Sequence, residues 1–171
     1  MLSFSPRAVS KDLLSELPER SRYVLVERFG LGPKGVSRTL DSIGKEYGIT
    51  RERIRQIENH GVAQVRESSK YAEHSAELND LKSALHSLGA LLSNETVLSE
   101  IADAKDRNHV VFLLSVGHQF ADRRENNDFH ARWHTDEQLA DQIELKDQNT
   151  HFPEYAQYFV EVKHFEYHFS P

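Results

Sequence analysis

Charged and amide side chains crowd the segment GITRERIRQIENHG, residues 48–61. Its first predicted helical turns carry three arginines, one glutamate and one glutamine: Arg51, Glu52, Arg53, Arg55 and Gln56. An arginine offers five N–H donors in a planar fork, a glutamate carboxylate only accepts hydrogen bonds, and a glutamine amide does both. Arginines spaced this closely repel one another unless anions or other acceptors face them. The segment is therefore a candidate binding surface for a partner with phosphate or other hydrogen-bonding groups.

Helical periodicity predicts that these polar side chains share an outward face. Thr50 is a candidate N-cap residue, and a helix is predicted from Arg51 to about Ser68. Its apolar positions are spaced by 3, 5 and 3, which places them on one face: Ile54, Ile57, Val62 and Val65. The arginines fall outside this face, so the helix has an outward basic edge.

A short helix and a tight turn precede this basic helix. Thr39 is a candidate N-cap for a helix that ends at Gly48, and apolar side chains recur on one face between them. Two helices joined by a turn of about three residues, the second with a basic edge, have the geometry of a helix-turn-helix. Apolar residues at helical spacing between 13 and 29 predict the upstream helices of a four-helix unit.

Residues 78–135 contain a second pattern. A leucine stripe, a short segment with an acidic start and the apolar stretch NHVVFLLSVGHQF predict three helices, although the last stretch also fits a buried strand. A polar turn at residues 125–128 separates two segments with aromatic residues, which indicates a β-hairpin. Three helices followed by a hairpin is the order of a winged helix. The predicted fold class is therefore mainly α, with a helix-turn-helix four-helix unit followed by a winged-helix-like α+β module.

The charge distribution supports a division into modules. Residues 1–70 contain 13 Lys/Arg and 9 Asp/Glu, a net charge of +4, whereas residues 71–171 contain 8 Lys/Arg and 18 Asp/Glu, a net charge of −10. The basic part would attract phosphate, and the acidic part would be repelled by it. We predict a helix-turn-helix domain at 1–70, a linker at 71–77, the winged-helix-like module at 78–135 and a C-terminal helix with an aromatic tail at 136–171.

Composition argues against several classes of function. The 171 residues include no Cys, so neither a disulfide nor a thiolate metal site can form, and no apolar run is long enough for a membrane span. No basic segment followed by an apolar one precedes a small-residue cleavage site, so no signal peptide is predicted. We therefore predict a cytoplasmic protein that does not contact a membrane. No Gly-rich phosphate loop, nucleophile motif or convincing pair of carboxylates is evident, so we expect neither an enzyme nor a bound cofactor.

The ten histidines raise the question of a metal site. His130 and His134 are four residues apart, as are His164 and His168. The first pair falls in the predicted hairpin, where residues four apart on a strand are ~13 Å apart, and the sequence places no third ligand. We therefore predict no metal site.

Residues 17–66 resemble domain 4 of the housekeeping-class sigma factors of bacteria. The stretches that carry the resemblance are LPERSRYVLVERFGL, TLDSIGKEYGIT and TRERIRQIE, and together they are far more specific than a generic helix-turn-helix pattern. The resemblance implies that this domain binds the promoter −35 element in the major groove of double-stranded DNA. It also implies that the upstream helices contact the flap-tip helix of the RNA polymerase β subunit.

Positions that match the sigma pattern imply roles for individual residues. The residues expected to contact base edges are Arg51, Glu52, Arg55 and Gln56. The residues expected along the DNA backbone are Arg20, Arg28, Thr39, Leu40 and Arg53. The residues expected to contact polymerase are Leu17, Val24, Leu25 and Phe29. These last four are apolar and are predicted mainly as core, with part of the same surface available as a groove for a partner helix. The base-edge roles suit the side chains, because arginine pairs with guanine, glutamine with adenine and glutamate with cytosine.

Two positions in the basic helix depart from the sigma pattern. A lysine that sigma factors direct at DNA is replaced here by His60, which carries less positive charge at neutral pH. Gly61 within the helix costs ~1 kcal/mol relative to alanine, and it indicates either a weaker helix end or close packing against another element. Nothing in the chain resembles the sigma domains that melt the −10 element, so we do not expect a complete housekeeping sigma factor.

The acidic second half leaves two functions open. Residues 78–135 loosely resemble the winged helix of the RNA polymerase delta subunit, and their charge favours a protein partner over DNA. The first hypothesis is a sigma-factor-like transcription regulator that binds −35-type promoter DNA and contacts RNA polymerase; the intact base-reading set favours it. The alternative is an interaction adaptor, or an anti-sigma-like competitor, that occupies the polymerase β-flap site and whose DNA binding is vestigial. The acidic half and His60 favour this alternative.

Overall fold

The computed structural model describes residues 2–88, 91–93, 98–123, 132–135, 138 and 141. The helices are α1 Pro6–Ser15, α2 Glu19–Phe29, α3 Leu40–Tyr47, α4 Arg51–Glu67, α5 Ser69–Glu73, α6 Ser75–Ser87 and α7 Arg107–Val116. The strands are β1 Leu91–Ser93, β2 Ala121–Arg123 and β3 Arg132–His134. This order confirms the predicted fold class, which is mainly α with a helix-turn-helix unit followed by an α+β module.

Side-chain caps begin both helices of the helix-turn-helix. Thr39 is extended, and its hydroxyl oxygen accepts a hydrogen bond of 3.1 Å from the backbone N–H of Ser42. Thr50 does the same for Arg53, at 3.2 Å. Between the two helices Gly48 adopts the left-handed conformation, with φ of 66°, which ends α3 at low cost. The N-caps predicted from the sequence are confirmed, and together with Gly48 they fix the turn that precedes α4.

A small apolar cluster holds α2, α3 and α4 together. Val24, Ile43 and Ile54 contribute one residue from each helix, and all three side chains are fully buried. Half-buried residues surround them: Leu40, Ile49 and Ile57. Replacing a buried isoleucine of this kind by alanine costs ~2–5 kcal/mol, so this cluster contributes substantially to holding α4 on α2 and α3.

The larger core joins the helix-turn-helix unit to the second half of the chain. Its buried members include Leu13 and Leu14 of α1, Leu25 of α2, Val65 of α4, Leu81 of α6 and Phe112 of α7. Residues 71–77, predicted as a linker, lie in α5, α6 and the residue between them. The predicted domain limits stay predictions, but the apolar surfaces of the two halves belong to one contiguous cluster.

The second half contains a three-stranded antiparallel sheet in the order β1-β3-β2. Strand β3 pairs with β2 through Ala121 opposite His134 and Arg123 opposite Arg132, as expected for the predicted hairpin. The apolar stretch that also fitted a strand is helix α7. The predicted polar turn at 125–128 lies outside the described residues, as does almost all of the predicted C-terminal helix and aromatic tail.

Within the described part of the chain, none of the helices combines the length and the apolar composition that crossing a membrane requires.

Candidate nucleic-acid interface

The start of α4 presents its polar side chains to solvent. All five residues singled out by the sequence in these turns are exposed: Arg51, Glu52, Arg53, Arg55 and Gln56. Ile54, in the middle of this run, is fully buried in the small cluster and fixes which face of the helix is inward. The structure therefore brings the predicted base-contacting residues together on one outward helix end.

Side-chain contacts within the helix engage two of the three arginines, one through an ion pair and one through an amide. Arg55 donates from Nε to Oε2 of Glu52 at 2.9 Å and from Nη2 to Oε1 at 2.7 Å, a two-pronged pair. Arg53 donates from Nη1 to Oε1 of Gln56 at 2.9 Å. The hydrogen bonds from Arg55 lower the pKa of the Glu52 carboxyl, and those same bonds raise the pKa of Arg55. Glu52 therefore stays ionised at neutral pH, as a hydrogen-bond acceptor that offsets one of its neighbouring cations.

The residues predicted along the DNA backbone are in different environments. Arg20 is exposed, and its guanidinium lies over the ring of Tyr47 at 5.7 Å from the centroid. Arg28 is half-buried, forms an ion pair with Glu58 at 3.3 Å, and so links α2 to α4. Thr39 uses its hydroxyl as the α3 cap. Leu40 is half-buried and packs against the small cluster, so only part of its side chain reaches the surface.

Arg38 is a residue that sequence reasoning did not single out. Its Nη1 donates to Oε2 of Glu27 in α2 at 3.1 Å and to Oε2 of Glu46 in α3 at 2.5 Å, and its Nη2 donates to Oγ of Ser42 at 3.1 Å. The two carboxylates raise the pKa of Arg38. The pKa of Glu46 is lowered, first by the hydroxyl of Tyr23 and then by Arg38. Arg38 thereby fixes α3 against α2. Its partners Glu27 and Glu46 lie 11 and 8 residues away in the sequence, and no sequence pattern predicts such pairs.

Three of the four residues predicted to contact polymerase lie in the interior. Leu17 is 6% exposed, and Val24 and Leu25 are fully buried. Phe29 is half-buried and packs edge-to-face on Phe112 of α7, with the ring centroids 5.4 Å apart. The core role that the sequence favoured for these residues is the one they have here, because their helices must bury an apolar face to fold. For these residues to contact polymerase as the resemblance implied, α7 or a neighbouring element would have to move.

The two departures from the sigma pattern have different surroundings. His60 is exposed on α4, beyond the base-contacting turns. Gly61 is buried, and a Cβ at this position would lie 3.2 Å from Cδ1 of Leu25 and 3.5 Å from Cβ of Ser21. The glycine therefore lets α2 and α4 approach closely, which explains its presence in the middle of a helix.

Metal binding finds no support in the described residues, among which no group of three or more histidine, aspartate or glutamate side chains could hold an ion. His134 is buried on β3. Its predicted companion His130 lies outside the described residues, as do His164 and His168.

The helices and the exposed residues of α4 define the class of this segment. It is a helix-turn-helix unit of the DNA-binding type, in which the second helix starts with exposed cationic and amide side chains above a buried face. Within this class, residues 13–67 match the family model Sigma-70, region 4. The resemblance predicted over residues 17–66 is confirmed, and it gives this segment a sigma-like DNA-binding role.

Curated relatives are similar over the same part of the chain. The RNA polymerase sigma factor SigA of a Bacillus species is 48% identical over 60 residues, which are 35% of this chain and 16% of the relative. The RNA polymerase principal sigma factor HrdD of Streptomyces viridifaciens is 41% identical over 59 residues, which are 34% of this chain and 18% of the relative. The factor of the same name from Streptomyces griseus is 42% identical over 55 residues, which are 32% of this chain and 16% of the relative. The chain thus spans less than a fifth of the length of these relatives, and the family match ends at residue 67.

Proposed function

We propose that this protein is a sigma-factor-like transcription regulator that reads −35-type promoter DNA through the start of α4 and contacts RNA polymerase. The observation that carries the proposal is the common exposure of the four base-reading candidates at one helix end, above the fully buried Ile54. Such a protein works in the cytoplasm, and it works by binding and not by catalysis.

The chemistry of the helix start suits base edges in the major groove. Arginine pairs in two places with O6 and N7 of guanine, glutamine pairs with adenine, and ionised glutamate accepts a hydrogen bond from cytosine. The pair between Arg55 and Glu52 holds both side chains in defined positions before DNA arrives. The N-terminal end of α4, with its partial positive charge, also favours a nearby phosphate.

Phosphate contacts supply the sequence-independent part of the affinity. Arg20 and Arg53 are the exposed cations among the predicted backbone contacts. Arg28 is engaged with Glu58, so it serves DNA binding mainly by fixing α2 on α4. Each cation that neutralises a phosphate contributes about −0.9 to the slope of log affinity against log salt, so affinity falls more steeply as salt is added.

A second candidate function is an adaptor that binds the polymerase β flap and has lost most of its DNA affinity. The net charge of −10 over residues 71–171 favours it, because DNA would repel that half of the chain. The replacement of a basic position by His60 favours it as well. The sheet order β1-β3-β2, with β1 before α7 and the paired β2 and β3 after it, supports a winged helix as the second module. The resemblance of this module to the polymerase delta subunit belongs to the same proposal.

Binding of two duplexes at two salt concentrations separates these functions. The full chain, Arg55→Ala and the control Arg107→Ala are compared on a −35-like duplex and a scrambled duplex. Arg107 is exposed on α7, outside the helix-turn-helix unit. We expect wild type to prefer the −35-like duplex, Arg55→Ala to lose roughly tenfold or more of that preference, and Arg107→Ala to keep it. Equal and weak binding to both duplexes by the wild-type protein contradicts the DNA-reading function.

Retention of a purified β-flap fragment on the immobilised full chain tests the polymerase contact. Retention together with a duplex preference supports the regulator, and retention without a duplex preference supports the adaptor. Failure to retain the fragment counts against a polymerase contact in either function.

A further inference from the structure

Helix α7 is apolar and nearly enclosed. Six of its ten residues are buried: His109, Val110, Phe112, Leu113, Leu114 and Val116. It packs against α1, α2 and α4, which are three of the four helices of the helix-turn-helix unit. A helix with apolar residues on so many sides is stable only between other elements, and here most of those elements belong to the Sigma-70 region 4 match.

Hydrogen bonds from the helix-turn-helix unit hold both ends of α7. At its start, Nδ2 of Asn108 donates to the carbonyl oxygens of Gly30 at 3.0 Å and Gly35 at 2.8 Å. At its end, Arg66 of α4 donates from Nε to the carbonyl of Val116 at 2.9 Å and from Nη2 to that of Ser115 at 3.0 Å. The last carbonyls of a helix lack partners within it, and a cation there is favourable. The position of α7 is therefore specified by polar contacts as well as by burial.

The middle of α7 contacts one of the residues that were expected to bind a partner, since Phe112 meets Phe29 edge-to-face. Leu17 and Leu25 belong to the same buried cluster as Phe112, whereas Val24 belongs to the small cluster. The sequence predicted a groove for a partner helix on this surface. In the folded chain a helix already occupies it, and that helix is the chain's own.

We propose that α7 covers the apolar surface, including Phe29, through which the Sigma-70 region 4 segment would bind a helix of another protein. Such a helix can reach this surface only after α7 has left it, so α7 is the resident helix of this face. This inference rests on the proposed function, since it takes the helices before α3 as the polymerase-contacting surface. The partner that fits is an apolar helix able to accept the Arg66 donors at its C-terminal end. Because the apparent affinity for an outside helix falls with the fraction of molecules whose face is open, docking of α7 lowers that affinity.

A labelled peptide of residues 104–118, added to the full chain, tests the inference without polymerase. Asn108→Ala removes two hydrogen bonds from the resident helix but leaves every peptide-binding residue on α1, α2 and α4 intact. We expect this variant to bind the peptide about tenfold more tightly than wild type does. Arg107→Ala, which changes an exposed neighbour on the same helix, is expected to match wild type.

Hydrogen exchange and a second variant keep the result decisive. Phe112→Ala removes the aromatic contact with Phe29, and circular dichroism checks that both variants remain helical. If amides of α7 exchange faster in either variant and peptide binding does not tighten, α7 does not occlude the face and the inference is wrong. If neither variant speeds exchange of α7, these contacts do not hold the helix and the inference is equally wrong.

The β-flap fragment then distinguishes the inference from the proposed function. Tighter retention by Asn108→Ala than by wild type supports both. Tighter peptide binding without flap retention supports the resident helix and contradicts the polymerase partner. Equal retention by both forms, with faster exchange of α7 in the variant, supports the polymerase partner and contradicts occlusion.

Discussion

Gly61 of α4 lies directly against Leu25 of α2, such that a Cβ at residue 61 would be 3.2 Å from Cδ1 of Leu25. Leu25 is fully buried and belongs to the larger core. Its side chain therefore has little room to retreat. Of the two interpretations that the sequence left open for Gly61, a weaker helix end or close packing, the structure supports close packing between the two helices.

Gly61→Ala should destabilise the protein even though alanine is the better helix former. The helix gains up to ~1 kcal/mol from the change, whereas overpacking a buried contact costs ~1–3 kcal/mol. We expect the free energy of unfolding, measured by urea denaturation, to fall by ~0–2 kcal/mol. Ala63 is exposed on the same helix, so Ala63→Gly measures only the difference in helix propensity between alanine and glycine. This variant should lose ~1 kcal/mol of the free energy of unfolding. If Gly61→Ala instead raises the free energy of unfolding by the full ~1 kcal/mol expected from helix propensity, Leu25 moves aside freely.

Local features of the helix-turn-helix were predictable because each depends on a few neighbouring residues. Thr39 and Thr50 cap their helices through hydrogen bonds to residues three positions later. The inward position of Ile54 follows from helical periodicity, and the exposure of Arg51 and Arg55 follows from it in turn. Short-range rules therefore sufficed to place the candidate DNA-reading surface.

Contacts between distant parts of the chain were not predictable in the same way. Asn108 bonds to Gly30 and Gly35 across more than seventy residues, and Arg66 caps the C-terminal end of helix α7, which begins 41 positions later. These side chains look like ordinary surface groups in the sequence, since their partners are backbone carbonyls with no chemical signature. The occupation of the predicted groove by α7 therefore emerged only from the packing.

Glu52→Gln should reduce sequence preference while increasing non-specific DNA affinity. The substitution removes a negative charge beside the phosphates, and it releases Arg55 from its two-pronged pair. It also replaces an acceptor-only group by an amide, which discriminates less well for cytosine. We expect the scrambled duplex to bind more tightly and the difference between duplexes to shrink, as measured by fluorescence anisotropy at two salt concentrations.

Glu67→Gln is the matched control for this change, because Glu67 is exposed at the opposite end of α4. It removes the same charge from the same helix and should leave the preference between duplexes unaltered. If Glu52→Gln preserves the full preference, Glu52 does not read a base.

Arg66→Ala should weaken the attachment of α7 to α4. Two hydrogen bonds from a charged donor are lost, and the carbonyls of half-buried Ser115 and buried Val116 are left with poorer partners. We expect a loss of ~1–3 kcal/mol in the free energy of unfolding, measured by urea denaturation. Arg66→Lys should recover only part of it, because an ammonium lacks the planar fork that reaches both carbonyls.

Arg22→Ala provides the reference for removing an exposed arginine, and it should change stability by no more than ~0.5 kcal/mol. Arg22 lies on the outer side of α2. Equal effects of Arg22→Ala and Arg66→Ala would mean that the two carbonyl contacts contribute nothing to stability.

His109 should make the fold sensitive to mild acid. The imidazole is 6% exposed on α7, and among the described residues its Nδ1 has no hydrogen-bond partner. Burial lowers the pKa of His109 below its ordinary 6.5; Arg7 of α1 adds to this effect and Asp106 opposes it. The unfolded chain therefore takes up a proton near pH 6.5 while the folded chain does not. Stability due to His109 is complete above pH 6.5 and is lost as the pH falls from there towards the lower, folded-state pKa.

The free energy of unfolding should accordingly decrease between pH 7 and pH 5.5, with a contribution from His109 of at most ~1.4 kcal/mol per pH unit. His109→Leu removes this component, so the difference between the urea-unfolding curves of wild type and variant isolates it. The Asp12 carboxyl, whose pKa is lowered below 3.8 chiefly by its hydrogen bond with His74, titrates at lower pH and does not enter this window. His86→Gln, at an exposed position of α6, should keep the wild-type slope. Parallel pH profiles for wild type and His109→Leu would show that His109 is protonated as readily in the folded chain as in the unfolded one.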